Sequence, residues 1–557
     1  MKWITSSKTI IFGPDFNSEL DIELISYYEI IIFSDYELNE NLFERYANND
    51  FIGLSDMRSK FNQDVSNLPS TLTHLIFGCG FNQDVSNLPS SLTHLTFGSN
   101  FNQDVSSLPD SITHLKFGWK FNQDVISLPP NLTHLTFGSH FNKDVSVLPP
   151  NLTHLKFGDY FNQDISSLPS TLTHLTFGSH FNQDVSGLPK EITHLTFGNN
   201  FNQDVMSLPH KITHLIFRCD FNQNVSNLPQ GITHLTFGIY FNQDVSNLPR
   251  KITHLTFGIY FNQDVSNLPR KITHLTFGNK FNQDVSSLPR EITHLTFDFL
   301  FNQYVSNLPP TLTHLTFGNN FNQDVSSLPP SITHLTFGNN FNKYVSKLPQ
   351  TLTHLTFGNC FNKDVKSLPL SLTHLTFGYC FNQDVSKLPQ TLTHLTFGNC
   401  FNQDVISLPD SITHLIIDPH FRKDILKLPM NLIYLSIGDS FNNQYNIPIG
   451  VKCLQLHYFK NQRVIDSLPD SIIELELFTC FNIKMDNLPS SLKKLVINSD
   501  YYDEDLNCLP DFIEELYLNC QYSKRILHIP NNLKKIKCRA DYPFMNDFLM
   551  YNVDTYC

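Results

Sequence analysis

The sequence predicts a β-rich solenoid with a parallel strand stack, and three observations carry that prediction. A twenty-residue unit recurs almost unbroken from Phe61 to about Ser440. Within each unit a short stretch alternates apolar and polar residues, as a half-buried strand does. The apolar positions recur at fixed phases, so a coil closes its core only by stacking on the next one.

One copy reads Phe81-Asn-Gln-Asp-Val-Ser-Asn-Leu-Pro-Ser-Ser-Leu-Thr-His-Leu-Thr-Phe-Gly-Ser-Asn100. In its second half Leu95 and Phe97 share one face, with His94 and Thr96 on the other, which predicts a strand with one buried side. Gly98 follows at a turn where positive φ would be available. Asp298, Asp418 and Arg218 stand at the same phase, so glycine is not obligatory there. Leu88-Pro89 should run extended and outside any ladder, because proline has no N–H to donate. The core set per coil is then Phe81, Val85, Leu88, Leu92, Leu95 and Phe97.

Stacking turns each phase into a column. Asn62, Asn82 and Asn102 form an amide column expected to bond the turn backbone. Asp64, Asp84 and Asp104 form an acidic one, and His74 through His414 an imidazole one.

Composition sets bounds on function. The formal net charge of −13 owes much to the Asp column, and with no basic stripe recognised, nucleic acid is not an expected partner. No apolar run approaches the roughly 20 residues of a membrane span, and the N-terminus lacks a charged-then-apolar leader. Eleven cysteines, an odd number scattered over several phases, do not form a disulfide framework. A soluble, cytoplasmic monomer is expected.

The pattern Phe-Asn-x-x-Val…Leu-Pro-x-x-Leu-Thr-His-Leu-Thr-Phe-Gly closely resembles the FNIP repeat, a relative of leucine-rich repeats found in social amoebae and in giant viruses that infect amoebae. The resemblance is strong from Phe61 to Ser440 and weak from Phe441 to about Lys537. It implies a leucine-rich-repeat-like, right-handed coil of about 24 repeats with diverged caps, and a protein-interaction role, in the host cytoplasm if the protein is viral. In ordinary leucine-rich repeats the ladder Asn follows the strand, a phase that is variable here (Asn100, Lys120, His140). The regular amide is Asn62, Asn82 and their equivalents.

The expected organisation is an N-terminal cap with a degenerate repeat (1–60), near-identical repeats (61–440), diverged repeats (441–539) and a C-terminal cap (540–557). Lys8 to Leu20 already aligns in phase with Thr93 to Val105, and a short helix is expected around Asn39 to Tyr46. Some family members carry an F-box and serve as ubiquitin-ligase adaptors; no F-box is recognisable here, so the adaptor role stands as an alternative reading. A structural rod without a specific partner is a third. Beyond Tyr434 the His column gives way to Cys453, Glu474, Lys494, Glu515 and Lys535, whose last four members alternate in sign as in-register pairing favours. The segment from Ala540 to Cys557 should cover the final strand edge.

No constellation for catalysis stands out from the repeat, and neither an enzyme nor a cofactor is expected. Regular histidines invite metal binding or pH sensing, yet flat columns lack a closed tetrahedral shell, so a polar sheet face is the preferred reading. Mutual repulsion should still depress the histidine pKa values. The Asp column reads as turn capping, and Cys360, Cys380 and Cys400 as coincidence at a permissive turn. The candidate interaction surface joins the strand face (His94, His114, Lys116, His134, Lys156) to a flanking rim (Trp119, His140, Tyr160, Tyr240, Tyr260).

Overall fold

In the computed structural model, residues 3–36, 59–423, 427–438, 447–458, 462–478, 482–499, 502–519, 521–539, 542–549 and 554–556 are described. The chain divides into two compact units, Met1–Phe281 and Asn282–Cys557.

The first unit holds β1 (Trp3–Thr5), β2 (Thr9–Phe12), β3 (Ile30–Phe33), β4 (His74–Ile76) and then one three-residue strand per coil, from β5 (His94–Thr96) to β14 (His274–Thr276). From β2 onward neighbouring strands pair in parallel, and from β4 onward the register sets His on His and Leu on Leu. The second unit continues the same pattern from β15 (His294–Thr296) to β21 (His414–Ile416). Five longer strands follow: β22 (Tyr434–Gly438), β23 (Cys453–His457), β24 (Glu474–Phe478), β25 (Lys494–Asn498) and β26 (Glu515–Asn519). Next come β27 (Lys535–Lys537) and β28 (Asp554–Tyr556), paired in parallel. No described helix is long and apolar enough to cross a membrane.

The core set is buried as expected, with Phe81, Val85, Leu88, Leu92, Leu95 and Phe97 all nearly inaccessible. Two phenylalanine columns run through it. Phe97 stacks on Phe101 across the turn, with ring centroids 3.7 Å apart, and on Phe117 of the next coil at 5.7 Å. The second column, Phe81 on Phe101, has a 6.1 Å repeat. Each coil therefore joins two aromatic stacks and is clasped to its successor by a third contact.

Asparagine supplies the polar counterpart of this stacking. The Asn82 N–H donates to Asn62 Oδ1 at 2.8 Å, and Asn102 N–H to Asn82 Oδ1 at the same distance. The amide column does bond backbone, as expected, but the partner is its own equivalent one coil away. Most of the Asp column caps its own turn: Asp84 accepts from Ser86 N–H at 3.1 Å and from Ser86 Oγ at 2.7 Å.

Glycine behaves differently from expectation. No glycine among the described residues has positive φ, so Gly98 is not there to reach the left-handed region. It is there for close approach: a Cβ on Gly98 would lie 2.0 Å from the Gly78 carbonyl oxygen, and one on Gly118 2.0 Å from that of Gly98. At the coil where Arg218 stands in place of glycine, the Phe spacing is uneven. Phe197–Phe217 shortens to 5.4 Å and Phe217–Phe237 lengthens to 5.9 Å, about the usual 5.7 Å.

At the N-terminal end the columns persist through the degenerate repeat. Phe33 stacks on Phe61 at 3.8 Å and on Phe77 at 5.7 Å, and Asn62 N–H donates to Asn17 Oδ1 at 2.9 Å. The clasp thus closes as in any other coil, although residues 37–58 intervene. The helix expected around Asn39 to Tyr46 lies outside the described residues. One short helix, α1 (Ile22–Ile25), is capped by Asp21, which accepts from Leu24 N–H at 3.2 Å. The edge of β2 is covered by β1, which pairs with it antiparallel, a hairpin not foreseen from the repeat.

Candidate functional site

The outward strand face is a ladder of imidazoles. His94 and His114 stack at 4.1 Å with planes 11° apart, and His114 and His134 at 4.2 Å and 13°. The residue before each histidine sets its orientation. Thr93 N–H and His94 N–H both donate to the Thr73 carbonyl, at 2.9 and 3.0 Å. The Thr93 hydroxyl donates to the same carbonyl at 3.1 Å and lies 2.9 Å from His94 Nδ1, which fixes the ring's orientation.

The pKa values of His94, His114 and His134 are all depressed, that of His94 to about 4. Burial is the larger cause and repulsion from neighbouring histidines the smaller, which reverses the weight given to repulsion above. His154 and His374 are likewise depressed to about 4. Rings stacked face to face, each with Nδ1 directed to its own threonine, present their remaining nitrogens side by side and do not converge them on one ion.

Two lysines interrupt this neutral face. Lys116 and Lys156 occupy the last strand position and are exposed at it. Although Lys116 reaches solvent, partial desolvation against the strand face and then the charge of Lys156 push its ammonium down. Together with Trp119, Thr136, Asp159 and Arg218 they line one shallow hollow at the strand's C-terminal edge.

The rim residues emerge from the turn that follows the strand. Trp119 stacks on His140 at 5.3 Å, His140 lies 5.2 Å from Tyr160, and Tyr160 stacks on His180 at 4.7 Å. Tyr240 and Tyr260 form a separate pair at 5.2 Å. The proposed rim is therefore two aromatic runs, with Asn200 and Asp220 at the same phase between them. Trp119 remains 52 % exposed and Tyr240 50 % in spite of the stacking.

His180, Asp159 and Arg218 were not singled out from sequence. His180 shares the phase of His140 and could have been found by reading down that column. Its Nδ1 lies 2.9 Å from the Asp159 carbonyl, and the Asp159 carboxylate accepts from Ser139 and Ser179 hydroxyls at 3.1 and 2.9 Å.

A second polar constellation sits on the diverged strands. Tyr434 Oη donates to Gln455 Oε1 at 2.6 Å, and Gln455 Nε2 to Glu476 Oε2 at 2.7 Å. Asn498 Nδ2 donates to Glu476 Oε1 at 2.7 Å. The chain of bonds depends on register among four coils of unequal length, so no local motif announces it. Cys360, Cys380 and Cys400 are free thiols, and burial followed by its two neighbours raises the pKa of Cys380.

Comparison with known proteins agrees with this geometry. The family model described as FNIP Repeat matches residues 81–120, 101–140, 141–180, 181–220, 221–260, 244–280, 261–300, 324–360 and 361–400. No curated protein sequence matches the chain. Among solved structures, CroV588 of a giant virus, described as a novel circular LRR protein structure, is 36% identical. The match covers 96% of each chain with a TM-score of 0.80. The functional domain of InlJ from Listeria monocytogenes is 20% identical over 53% of this chain and 71% of its own, with a TM-score of 0.38. YopM from Yersinia enterocolitica WA-314 is 16% identical over 87% and 90%, with a TM-score of 0.32. With phenylalanine clasps, an asparagine ladder and a histidine-threonine face repeated coil after coil, this chain belongs to the FNIP-repeat family.

Proposed function

We propose that the protein is a non-enzymatic interaction solenoid that binds a protein partner through the His-Thr strand face and the Trp119–His180 rim. One observation carries this reading: Trp119, His140, Tyr160 and His180 form a stacked aromatic run on successive coils that is still open to solvent. Stacking holds the rings in place before a partner arrives, so little side-chain freedom remains to be lost on binding. Large aromatic side chains so placed are the commonest energetic anchors of protein interfaces. Lys116, Lys156 and Arg218 beside them offer charge-assisted hydrogen bonds to the same partner. LRR-like solenoids typically serve as such scaffolds. A monomer in the cytoplasm suits this reading, since the eight cysteines the structure describes are all free thiols.

The test is a native affinity purification comparing the full chain, a chain lacking residues 1–60, and a Trp119→Ala/Tyr160→Ala variant whose circular dichroism matches the parent. A stoichiometric partner kept by the truncated chain and lost by the aromatic variant is the expected result. A partner held equally by the variant would move the surface elsewhere. A ubiquitin-ligase subunit lost with residues 1–60 would replace this reading with the adaptor role. The absence of any enriched partner would favour the structural rod.

A further inference from the structure

Coils 221–280 carry five Lys or Arg residues against two carboxylates, in a protein of formal net charge −13; coils 341–400 match that count, but with lysines scattered over several phases and no Arg-Lys pair. The first of these coils, 221–240, has no Lys, Arg, Asp or Glu at all, because Asn224 stands where the Asp column would place a carboxylate. Asn224 keeps the turn, accepting from Ser226 N–H at 2.8 Å, so charge is removed there without loss of the cap.

The next two coils each set an Arg-Lys pair on the turn before the strand, Arg250-Lys251 and Arg270-Lys271. All four side chains are exposed. Lys211, at the same phase two coils earlier, is paired with Glu191 of its neighbouring coil. Gly231 stands beside Lys251 and offers no such acid, and none of the four cations forms an ion pair with a described residue of its unit. Equivalent positions on adjacent coils lie about 4.8 Å apart at the backbone, so Arg250 faces Arg270 and Lys251 faces Lys271 as like charges. That repulsion is relieved when an anion bridges them.

Arg250, Arg270 and Lys271 border an open groove whose floor includes Asn227, Asn247 and Asn267. Carboxamides can both donate to and accept from a peptide backbone. The groove lining contains no aromatic ring on which a nucleobase would stack. Its apolar members Leu248 and Leu268 are buried, which leaves no anchor for lipid. The acidic coil 281–300, with Asp284, Glu291 and Asp298 against Arg290, follows the patch in sequence and disfavours an extended polyanion. A short acidic run is the ligand that matches a small cationic ridge on an acidic protein.

We propose that Arg250, Lys251, Arg270 and Lys271, with the asparagines beside them, bind a short acidic peptide segment of a partner protein. The proposal rests on the interaction-solenoid reading but uses a surface different from the Trp119 rim, so the two can fail separately.

The experiment is fluorescence anisotropy of a labelled oligoglutamate peptide titrated with the full chain, at low and moderate salt. Saturable binding is expected, weakening with salt. In an Arg250→Gln/Lys251→Gln/Arg270→Gln/Lys271→Gln variant it should weaken by about tenfold or more, as loss of several exposed ion pairs implies. Circular dichroism and Tm should be unchanged, because the four side chains lie on exposed turns. The Trp119→Ala/Tyr160→Ala variant should bind the peptide as the parent does; loss of binding there would assign the peptide to the rim. No saturable binding, or equal binding by the glutamine variant, overturns the proposal. Tighter binding of single-stranded oligothymidylate, or of phosphatidylserine vesicles, at the same salt overturns it in favour of a nucleic acid or a membrane surface.

Discussion

Within the second unit, two kinds of coil solve the same stacking problem differently. From β15 to β21 each polar column meets a copy of itself, with imidazole on imidazole at 4.1–4.2 Å and asparagine on asparagine. From β22 to β27 the neighbours are unlike and complementary: Lys494 with Glu474 at 3.6 Å, Lys535 with Glu515 at 3.4 Å, Lys493 with Glu514 at 2.9 Å. The lesson concerns which side chains tolerate their own image one strand away. A neutral ring can stack on itself, a carboxamide can accept from the next backbone, and Asp turns inward to cap its own turn. A lysine or glutamate has none of these solutions against its own kind, so in the His column charge enters only once coils have diverged enough to alternate its sign, and at the last strand position Lys116 and Lys156 stand apart with Thr136 between them.

The sharpest way to break the self-stacking solution is through phenylalanine. Phe357 touches Phe361 at 3.7 Å and stacks on Phe337 and Phe377 at 5.6 Å. Phe357→Ala should cost about 3–5 kcal/mol, read as a lowered urea midpoint. The equivalent core residue in the diverged coils, Ile497, has no ring to stack; Ile497→Ala should cost about 2–5 kcal/mol from burial and cavity alone. Equal losses would mean that ring stacking adds nothing beyond buried area.

The asparagine ladder comes next. Asn362 Oδ1 accepts from Asn382 N–H at 3.0 Å and from Gln383 Nε2 at 2.9 Å. Asn362→Ala strands a half-buried backbone donor and should cost about 1–2 kcal/mol. Hydrogen exchange at the Asn382 amide should accelerate before that of its neighbours. Unchanged exchange there would mean that the ladder is decorative.

The imidazole column separates the two kinds of coil by pH. His374 titrates near 4 in the folded chain, held down first by burial and then by His354 and His394, against about 6.5 for an exposed histidine. The folded state therefore binds fewer protons than the unfolded one between those values. The stability it contributes is complete above about pH 6.5 and is lost as pH falls toward 4. Asp384 is also depressed, by bonds from Ser386, so its contribution disappears only below the ordinary carboxylate range. Tm should drop between pH 7.5 and 5.0 by on the order of 5 °C. Hydrogen exchange should show the loss in coils 294–416 and not in coils 474–537. A uniform loss across both regions would assign the effect to something other than histidine.

Period and phase made the core legible in the sequence, because six apolar positions recur with almost no exceptions. The Asn and Asp columns were legible for the same reason. Gly98 was misread because a turn glycine suggests positive φ, whereas contact with Gly78 of the preceding coil is visible only once coils are stacked. The cause of the histidine shifts was misweighted because burial at a strand edge depends on the threonine and the rings packed around it. On the candidate surface, the shared phase of His140, Tyr160, Tyr240 and Tyr260 was readable, but the joining of Trp119 from one position earlier, and the break between the two runs, needed the stacking distances. The Tyr434–Gln455–Glu476–Asn498 network spans coils of unequal length, where counting by twenties no longer predicts which residues meet. The hairpin of β1 on β2 reverses direction, and a repeat that runs one way carries no signal for it.

The smallest effect belongs to the charge pairs that replace the imidazoles. Glu474 is exposed and Lys494 partly so at 3.6 Å, a geometry in which Coulomb attraction in water is nearly offset by the loss of side-chain freedom. Lys494→Ala should cost about 0.2–1 kcal/mol, reduced further by salt. Lys494→Glu should cost more, since it places like charges on β24, β25 and β26 in succession. A double reversal, Glu474→Lys with Lys494→Glu, restores the pair to one neighbour but leaves the introduced carboxylate beside Glu515. Only partial recovery is therefore expected in a double-mutant cycle on urea midpoints. Full recovery would show that each pair acts alone. Partial recovery would show that sign alternation is read along the whole column, which is the constraint the self-stacking coils avoid by carrying no charge there.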